Sequence, residues 1–395
     1  MNIFKKAYCR IFQCAMRLAI PFLPYRKPKI LKSVFEIKEI LERNNCGRVF
    51  IVTTPTVSKH EITQKFILSL PDAVVFDKAT PDPDIDAVET ALEIYRKNGC
   101  DAIVAIGGGS ALDLAKACGA RVARPEKSVK QLCGLLRVRK KLPLFFAVPT
   151  TAGSGSESTL AAVIRDNCTQ GKYAINDFSL IPDYAVLDYA FTLGVSARLT
   201  AQTGMDALTH AVEAFIGRST TRETRRYALE AVKLIDTNLK KCYDEPENET
   251  ARKNMLYASH YAGIAFTKSY VGYVHALAHA LGGKYGISHG LANAVLLPKV
   301  LISYGKKANK KLAYLARECD IADVSDKDCY AAEKFIGRIR ELNESMNIPD
   351  GFKEIRAEDI PLLAERAYSE SNPLYPVPEL WDKKRFEQIF KELMR

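Results

Sequence analysis

Residues 101–122 constrain the fold more than any other stretch. Asp101-Ala-Ile-Val-Ala-Ile106 is an apolar run of strand length, Gly107-Gly-Gly-Ser110 interrupts it, and a helix from Ala111 to about Val122 follows. The flanks repeat the alternation. A helix over 34–48, a strand Arg48–Thr53, a helix Lys59–Leu70, a strand Ala73–Asp77 and a helix Ile85–Asn98 precede it, and a strand Leu144–Val148 comes after. Strands alternating with helices predict βαβ units and a mainly parallel sheet. Residues 159–192 mix short strand-like runs with turns, and from about Ser196 helical periodicity takes over. Helices are expected over 196–217, 221–241, 249–269, 274–283, 293–304, 309–319, 328–346, 358–368 and 384–394. The expected organisation is a basic N-terminal segment (1–33), an α/β domain (34–195) and an all-α domain (196–395).

The glycine turn has the chemistry of a phosphate cradle. Three glycines let backbone N–H groups approach a phosphate, and the following helix adds the positive end of its dipole. Ser110 is expected as the N-cap, with Asp113 completing a capping box. An open parallel sheet places ligands beyond the carboxyl ends of its strands. A second polar loop, Thr150-Thr151-Ala-Gly153-Ser154-Gly155, also follows a strand, and two such loops favour a nucleotide over a mere tight turn.

The helical half carries a different chemistry. Of six histidines, five lie between residues 206 and 290: His210, His260, His275, His279 and His289. Asp206 and His210 are four residues apart, as are His275 and His279, so each pair shares a helix face. His289 follows a bend rich in glycine (Gly282, Gly283, Gly286). One carboxylate with imidazoles and no thiolate suits Fe²⁺ or Zn²⁺. A lone histidine on a helix is usually a packed core or surface residue, which is the reading for His260. Spacing alone leaves open which of the other four is not a ligand.

Composition narrows the class. The net charge is +11, but residues 1–33 hold eight basic and no acidic residues, so the rest of the chain carries only +3. The global charge is therefore not evidence for nucleic-acid binding by the main body, and no nucleic-acid partner is expected. The 10 cysteines are scattered, with no Cys-x-x-Cys and no secretory signal, as in a reduced cytoplasmic protein. Residues 1–20 form an amphipathic helix in which Phe4, Tyr8, Ile11, Phe12, Ala15 and Ala19 follow helical spacing, ended by Pro21 and Pro24. It reads as a membrane-surface helix, as a segment docking a partner, or as a helix packed on its own domain or a second subunit.

Four motifs in order resemble those of the iron-containing (group III) alcohol dehydrogenases. They are Gly107-Gly-Gly-Ser110, Pro149-Thr-Thr-Ala-Gly-Ser-Gly-Ser-Glu157, Gly204-Met-Asp-Ala-Leu-Thr-His-Ala-Val-Glu213, and His275-Ala-Leu-Ala-His279 continuing to Ser288-His-Gly-Leu-Ala-Asn-Ala294. The resemblance runs from about Arg48 to the C-terminus and includes Ser371-Asn-Pro373. It implies a dehydroquinate synthase-like architecture: a dinucleotide-binding α/β domain, a helical domain and a site in the cleft between them. It implies reversible hydride transfer between an alcohol and NAD or NADP, with a divalent metal on the substrate oxygen, in a cytoplasmic homodimer. By the family pattern Asp206, His210, His275 and His289 are the metal ligands, and His279 is a proton relay beside them. Gly108, Gly109 and Ser110 hold the pyrophosphate, Thr150, Thr151 and Ser154 line the cofactor with Leu199 near it, and Phe266 narrows the substrate pocket.

The chain departs from the pattern in places. Many relatives end the first strand in Val-Thr-Asp, whose carboxylate reads the ribose 2′-hydroxyl and repels a 2′-phosphate. Here the run is Val52-Thr53-Thr54, which leaves room for NADP. Asp82-Pro83 replaces an Asn-Pro, and Ala161 stands where some diol-oxidising relatives carry a polar residue. The competing readings are a glycerol-type polyol dehydrogenase, a dehydroquinate-synthase-like cyclase, and a non-catalytic nucleotide- or metal-binding protein tethered by its basic N-terminus.

Overall fold

The apolar runs of the first half become strands because β-branched and aromatic side chains fit a pleated surface buried on both faces. The computed structural model describes residues 1–167 and 171–395, so Cys168 lies outside the described residues. Its strands are β1 (Lys29–Leu31), β2 (Val49–Thr53), β3 (Ala73–Phe76), β4 (Ala102–Gly107), β5 (Gly134–Leu135), β6 (Leu144–Pro149), β7 (Ala161–Arg165), β8 (Lys172–Asn176) and β9 (Tyr184–Val186). Six of them form one parallel sheet in the order β1-β9-β6-β4-β2-β3. In a small second sheet β8 pairs in parallel with β5 and antiparallel with β7. Side chains alternate across the main sheet. Phe50, Val52, Ile103 and Ala105 enter one core with the helices Ile85–Lys97 and Gly109–Ala123, whereas Val49, Ile51, Val104 and Ile106 enter another with the helices Glu36–Arg43 and Glu61–Ser69.

The chain divides into two compact units, Pro24–Leu193 and Met1–Leu23 with Gly194–Arg395. Residues 1–33, expected as one segment, are therefore split. The part after Pro24 contributes β1, whose register Lys29↔Tyr184 adds an edge strand to the sheet. Three residues are too few for a strand period to show in sequence. The part before it is a helix, Ile3–Ala19, packed on its own unit with Cys9 and Gln13 buried. Arg10 donates to Val377 O (2.8 Å) and Pro378 O (3.1 Å), and Gln13 to Pro373 O (3.1 Å) and Tyr375 O (2.8 Å).

The C-terminal unit is helical: Ala197–Ile216, Arg222–Asp244, Glu249–Ser269, Tyr273–Tyr285, His289–Tyr304, Lys306–Glu318, Asp328–Ser345, Ile360–Ser371 and Lys383–Glu392. The helix expected over 293–304 begins a turn earlier, at His289. Its first turn contains Gly290; glycine in a first turn breaks nothing, since those N–H groups lack intrahelical partners anyway. Among the described residues, no helix is long and apolar enough to cross a membrane.

The capping box expected at Ser110 does not form. The helix starts at Gly109 with Gly108 as its cap residue and no side-chain cap. Asp113 instead accepts from Ser156 Oγ (2.9 Å) and from Val163 N (3.0 Å). Next to it Lys116 is fully buried, its Nζ donating into a cage made by Ser156 O and Oγ, Thr159 O and Oγ1, and Ala161 O at 2.6–3.0 Å. Burial pulls this ammonium down to about 8, against the opposing charges of Asp113 and Glu157. One cation thus pins the loop after β6 to the helix after β4. Lys116→Met leaves several buried oxygens without their donor and removes the cation beside Asp113 and Glu157, so it should cost about 3 kcal/mol, read as a lower urea midpoint at unchanged slope.

Candidate active site

In the C-terminal unit the helix Ala197–Ile216 places Asp206 and His210 one turn apart on one face, and both are buried. The helix Glu249–Ser269 ends as Tyr270 takes a left-handed conformation (φ 64°), and a new helix, Tyr273–Tyr285, starts at once with His275 in its first turn. The next helix starts at His289 itself. Three helix starts or faces thus converge. Asp206, His210, His275 and His289 each offer one ligand atom, and these atoms lie within 4.8 Å of one another. His289 Nε2 is 3.5 Å and His275 Nε2 3.9 Å from Asp206 Oδ1.

The site is built to receive a cation. Asn293, one turn after His289, puts its amide nitrogen among the donors: 2.7 Å from Asp206 Oδ1, 3.1 Å from His289 Nε2 and 3.3 Å from His275 Nε2. Its Oδ1, by contrast, is buried with no hydrogen-bond partner. The lone pairs of the cluster are oriented on a positive group, and the donor set, one carboxylate and three imidazoles, fits Fe²⁺ or Zn²⁺. Asn293 carried no assigned role in the sequence reading. Its spacing from His289 shows only once the helix is known to begin at His289.

Glu213 is the second residue that the sequence reading left without a role. It sits within the same long helix, buried, and accepts from Gly272 N (2.7 Å) and Val274 N (2.8 Å). His275 Nδ1 donates to it over 2.6 Å, which fixes the tautomer and turns Nε2 toward Asp206 and Asn293. Burial raises the Glu213 carboxyl to about 7, against hydrogen bonds from the backbone of Gly272, Val274 and His275. The same burial, with His210, His289 and His279 nearby, holds His275 well below its ordinary value and so neutral, as a ligand must be. Gly272 has a specific reason to be glycine: a Cβ there would lie 2.6 Å from Glu213 Oε1.

His279 stands beside the cluster, outside the set of converging ligand atoms. Its ring stacks on His289 at 5.1 Å, and Nδ1 lies 2.7 Å from Glu370 Oε1. Glu370 also accepts from Tyr375 Oη at 2.8 Å. Burial works to raise the Glu370 carboxyl, but His279 and Tyr375 outweigh it and hold it below its usual range. Phe266 stacks on His210 at 4.1 Å, which puts an aromatic wall against the cluster.

The nucleotide-type loops belong to the N-terminal unit. There Thr150 N donates to Gly107 O (3.0 Å), and a Cβ on Gly109 would meet Ser154 Oγ at 3.0 Å. The two loops are in contact, and the 15-residue helix that follows the first has no side-chain cap, a combination suited to a pyrophosphate. Thr54, after β2, stands beside Gly107; its Oγ1 accepts from Val57 N at 3.2 Å. Leu199 belongs to the other unit, in the first turn of Ala197–Ile216, its N–H donating to Ser196 Oγ.

The family models for "iron-containing alcohol dehydrogenase" and "Fe-containing alcohol dehydrogenase family, C-terminal" match residues 31–189 and 200–394. The chain belongs to the iron-containing alcohol dehydrogenase family. It is 38% identical over 327 residues to the 1,3-propanediol dehydrogenase of Citrobacter freundii, covering 81% of this chain and 83% of that one. It is 33% identical over 351 residues to the NAD-dependent methanol dehydrogenase of Bacillus methanolicus, covering 86% and 92%. A crystal structure of a 1,3-propanediol oxidoreductase superposes with a TM-score of 0.90 at 32% identity, covering 94% of this chain and 99% of that one. As a member of this family the chain is a metal-dependent, nicotinamide-linked oxidoreductase that acts on alcohols and aldehydes.

The geometry predicts different losses at two positions. His275→Ala removes a ligand and should yield protein without bound metal. Glu213→Gln keeps the shape but weakens the hold on His275, and metal affinity should fall about 10- to 100-fold, read by competition with a chelator.

Proposed function

We propose that this protein interconverts a small alcohol and its aldehyde, with Asp206, His210, His275 and His289 holding the metal and His279 handling the proton. The observation that carries the reading is the convergence of those four donors, with His279 hydrogen-bonded beside them but outside the set. When bound, the divalent metal supplies Lewis-acid polarisation of the substrate oxygen and the nicotinamide supplies or accepts the hydride.

The protein's own residues do the rest. Glu213 keeps His275 oriented, with its proton on Nδ1, while burial keeps the ring neutral. Gly108, Gly109 and Ser110, with Thr150, Thr151 and Ser154, bind and orient the cofactor pyrophosphate and ribose. Phe266 bounds the substrate and keeps water from the reacting carbon. In alcohol oxidation His279 accepts the hydroxyl proton, at Nε2 because Nδ1 is engaged by Glu370; in aldehyde reduction it returns one. The motif set with four converging ligands favours this reaction over a cyclase or a non-catalytic binding role. A threonine at position 54, in place of a carboxylate, leaves NADP acceptable beside NAD. The working form is a cytoplasmic homodimer, in keeping with the nine described cysteines, all of them free thiols.

Protein purified without oxygen, assayed for iron and zinc, and screened with short-chain aldehydes should oxidise NADH or NADPH. No aldehyde-dependent oxidation by the iron-loaded protein would defeat the proposal. Comparing kcat/KM for NADPH and NADH tests Thr54, and a strong preference for NADH would refute NADP use. His279→Phe should keep its metal and lower turnover by about 100-fold or more. Loss of metal in that variant would show that His279 is a ligand.

A further inference from the structure

The helix Ile3–Ala19 presents its apolar side to solvent. It buries Cys9 and Gln13, while Phe4, Ile11 and Leu18 are 83%, 70% and 68% exposed. These three recur every seven residues and so form one ridge along the helix. Phe22, just beyond the helix, is 87% exposed. The orientation is held by the four hydrogen bonds from Arg10 and Gln13 to backbone carbonyls of residues 373–378. The helix cannot roll its ridge inward without breaking them.

The segment that carries the ridge is cationic, although Asp382 pairs with its N-terminal amine (3.2 Å) and Glu365 lies near Lys5. Lys6 and Arg17 are exposed on its flank, and residues 1–33 contain no carboxylate. Arg17, Arg218 and Arg225 all act on Lys311, whose Nζ donates to Ile216 O and Gly217 O; burial first, and then these cations, hold its ammonium down to about 8. Arg225 in turn lines an open recess of 660 Å³ with Arg222, Arg226, Leu229, Tyr314 and Glu223, at the first turn of the 23-residue helix Arg222–Asp244. Glu223, the carboxylate of that lining, is engaged by Lys268 Nζ at 2.6 Å. Ridge, flank and recess are parts of one unit.

We propose that this face docks the protein on the surface of an anionic phospholipid bilayer. Phe4, Ile11, Leu18 and Phe22 enter the boundary between headgroups and acyl chains, and Arg222, Arg225 and Arg226 meet headgroup phosphates. Apolar and aromatic side chains on one face with Lys and Arg beside them are what an interfacial helix requires. A second copy of the chain fits less well, because it would bring the same cations against these. A bilayer offers an apolar interior and negative charge together.

The test is flotation of the full-length protein with vesicles of phosphatidylcholine alone or mixed with phosphatidylglycerol. The protein should rise with the anionic vesicles, stay behind with the neutral ones, and be released by high salt. The triple variant Phe4→Ser, Ile11→Ser, Leu18→Ser should keep helical content and dehydrogenase activity while losing about tenfold or more in partitioning. Arg222→Ala and Arg225→Ala should each lower it by about fivefold. Failure to float with anionic vesicles, equal binding to both kinds, or a triple variant that floats like the parent overturns the proposal. So does a triple variant whose only change is a smaller mass by light scattering, which would make the ridge a contact between copies.

Discussion

One buried carboxylate organises the metal-facing part of the C-terminal unit. Glu213 reaches from the helix Ala197–Ile216 to the start of Tyr273–Tyr285, some 60 residues on, and binds two backbone N–H groups and an imidazole there. A carboxylate without water is stable only if its lone pairs are filled, so each donor it holds is also a condition it imposes. The chain must turn at Tyr270, position 272 must lack a side chain, and His275 must carry its proton on Nδ1. The ligand geometry follows from those conditions. The four converging donors are therefore only the inner part of a structure whose outer part is Glu213, Asn293 and the helix start at Gly272.

The N-terminal unit solves a related problem with the opposite sign. A loop rich in glycine and hydroxyls has few apolar contacts to keep it in place, yet a phosphate cradle has to be rigid. Lys116 supplies the restraint by donating to the backbone of the loop from beneath, leaving the upper N–H groups for a ligand. Gly109 packs directly on Ser154, so the two loops support each other. In both units a buried charge, satisfied by backbone groups, does what apolar packing cannot do next to a polar site.

The parallel sheet was legible in the alternation of apolar runs and helical stretches, because strands buried on both faces leave near-continuous hydrophobic sequence. So were the four residues whose donor atoms converge, Asp206, His210, His275 and His289, because their motifs stand in order along the chain. What stayed hidden depends on tertiary contacts. Ser110 has the composition of an N-cap, yet Gly108 occupies that place because Asp113 is drawn to Ser156 and Val163. The helix at His289 begins earlier than its periodicity suggests, which concealed the pairing of His289 with Asn293. β1 is too short to show a period at all. Glu213 stood inside a quoted motif, but nothing in its neighbours marks it as the partner of a histidine 62 residues away.

The N-terminal helix shows the limit of amphipathic reasoning most directly. Periodicity identifies an apolar face and a polar one, and the usual inference is that the apolar face turns inward. Here the turn at residues 373–378 exposes backbone carbonyls that need donors, and Arg10 and Gln13 provide them. Four hydrogen bonds to the backbone of this turn hold the helix in that orientation. The consequence is an apolar ridge held facing out. An isolated exposed leucine or phenylalanine is ordinary, but a ridge of Phe4, Ile11 and Leu18 continued by Phe22 is a contiguous patch rimmed with cations. A patch of that kind, fixed in place by hydrogen bonds on its other side, is a surface shaped for contact with something apolar and negatively charged.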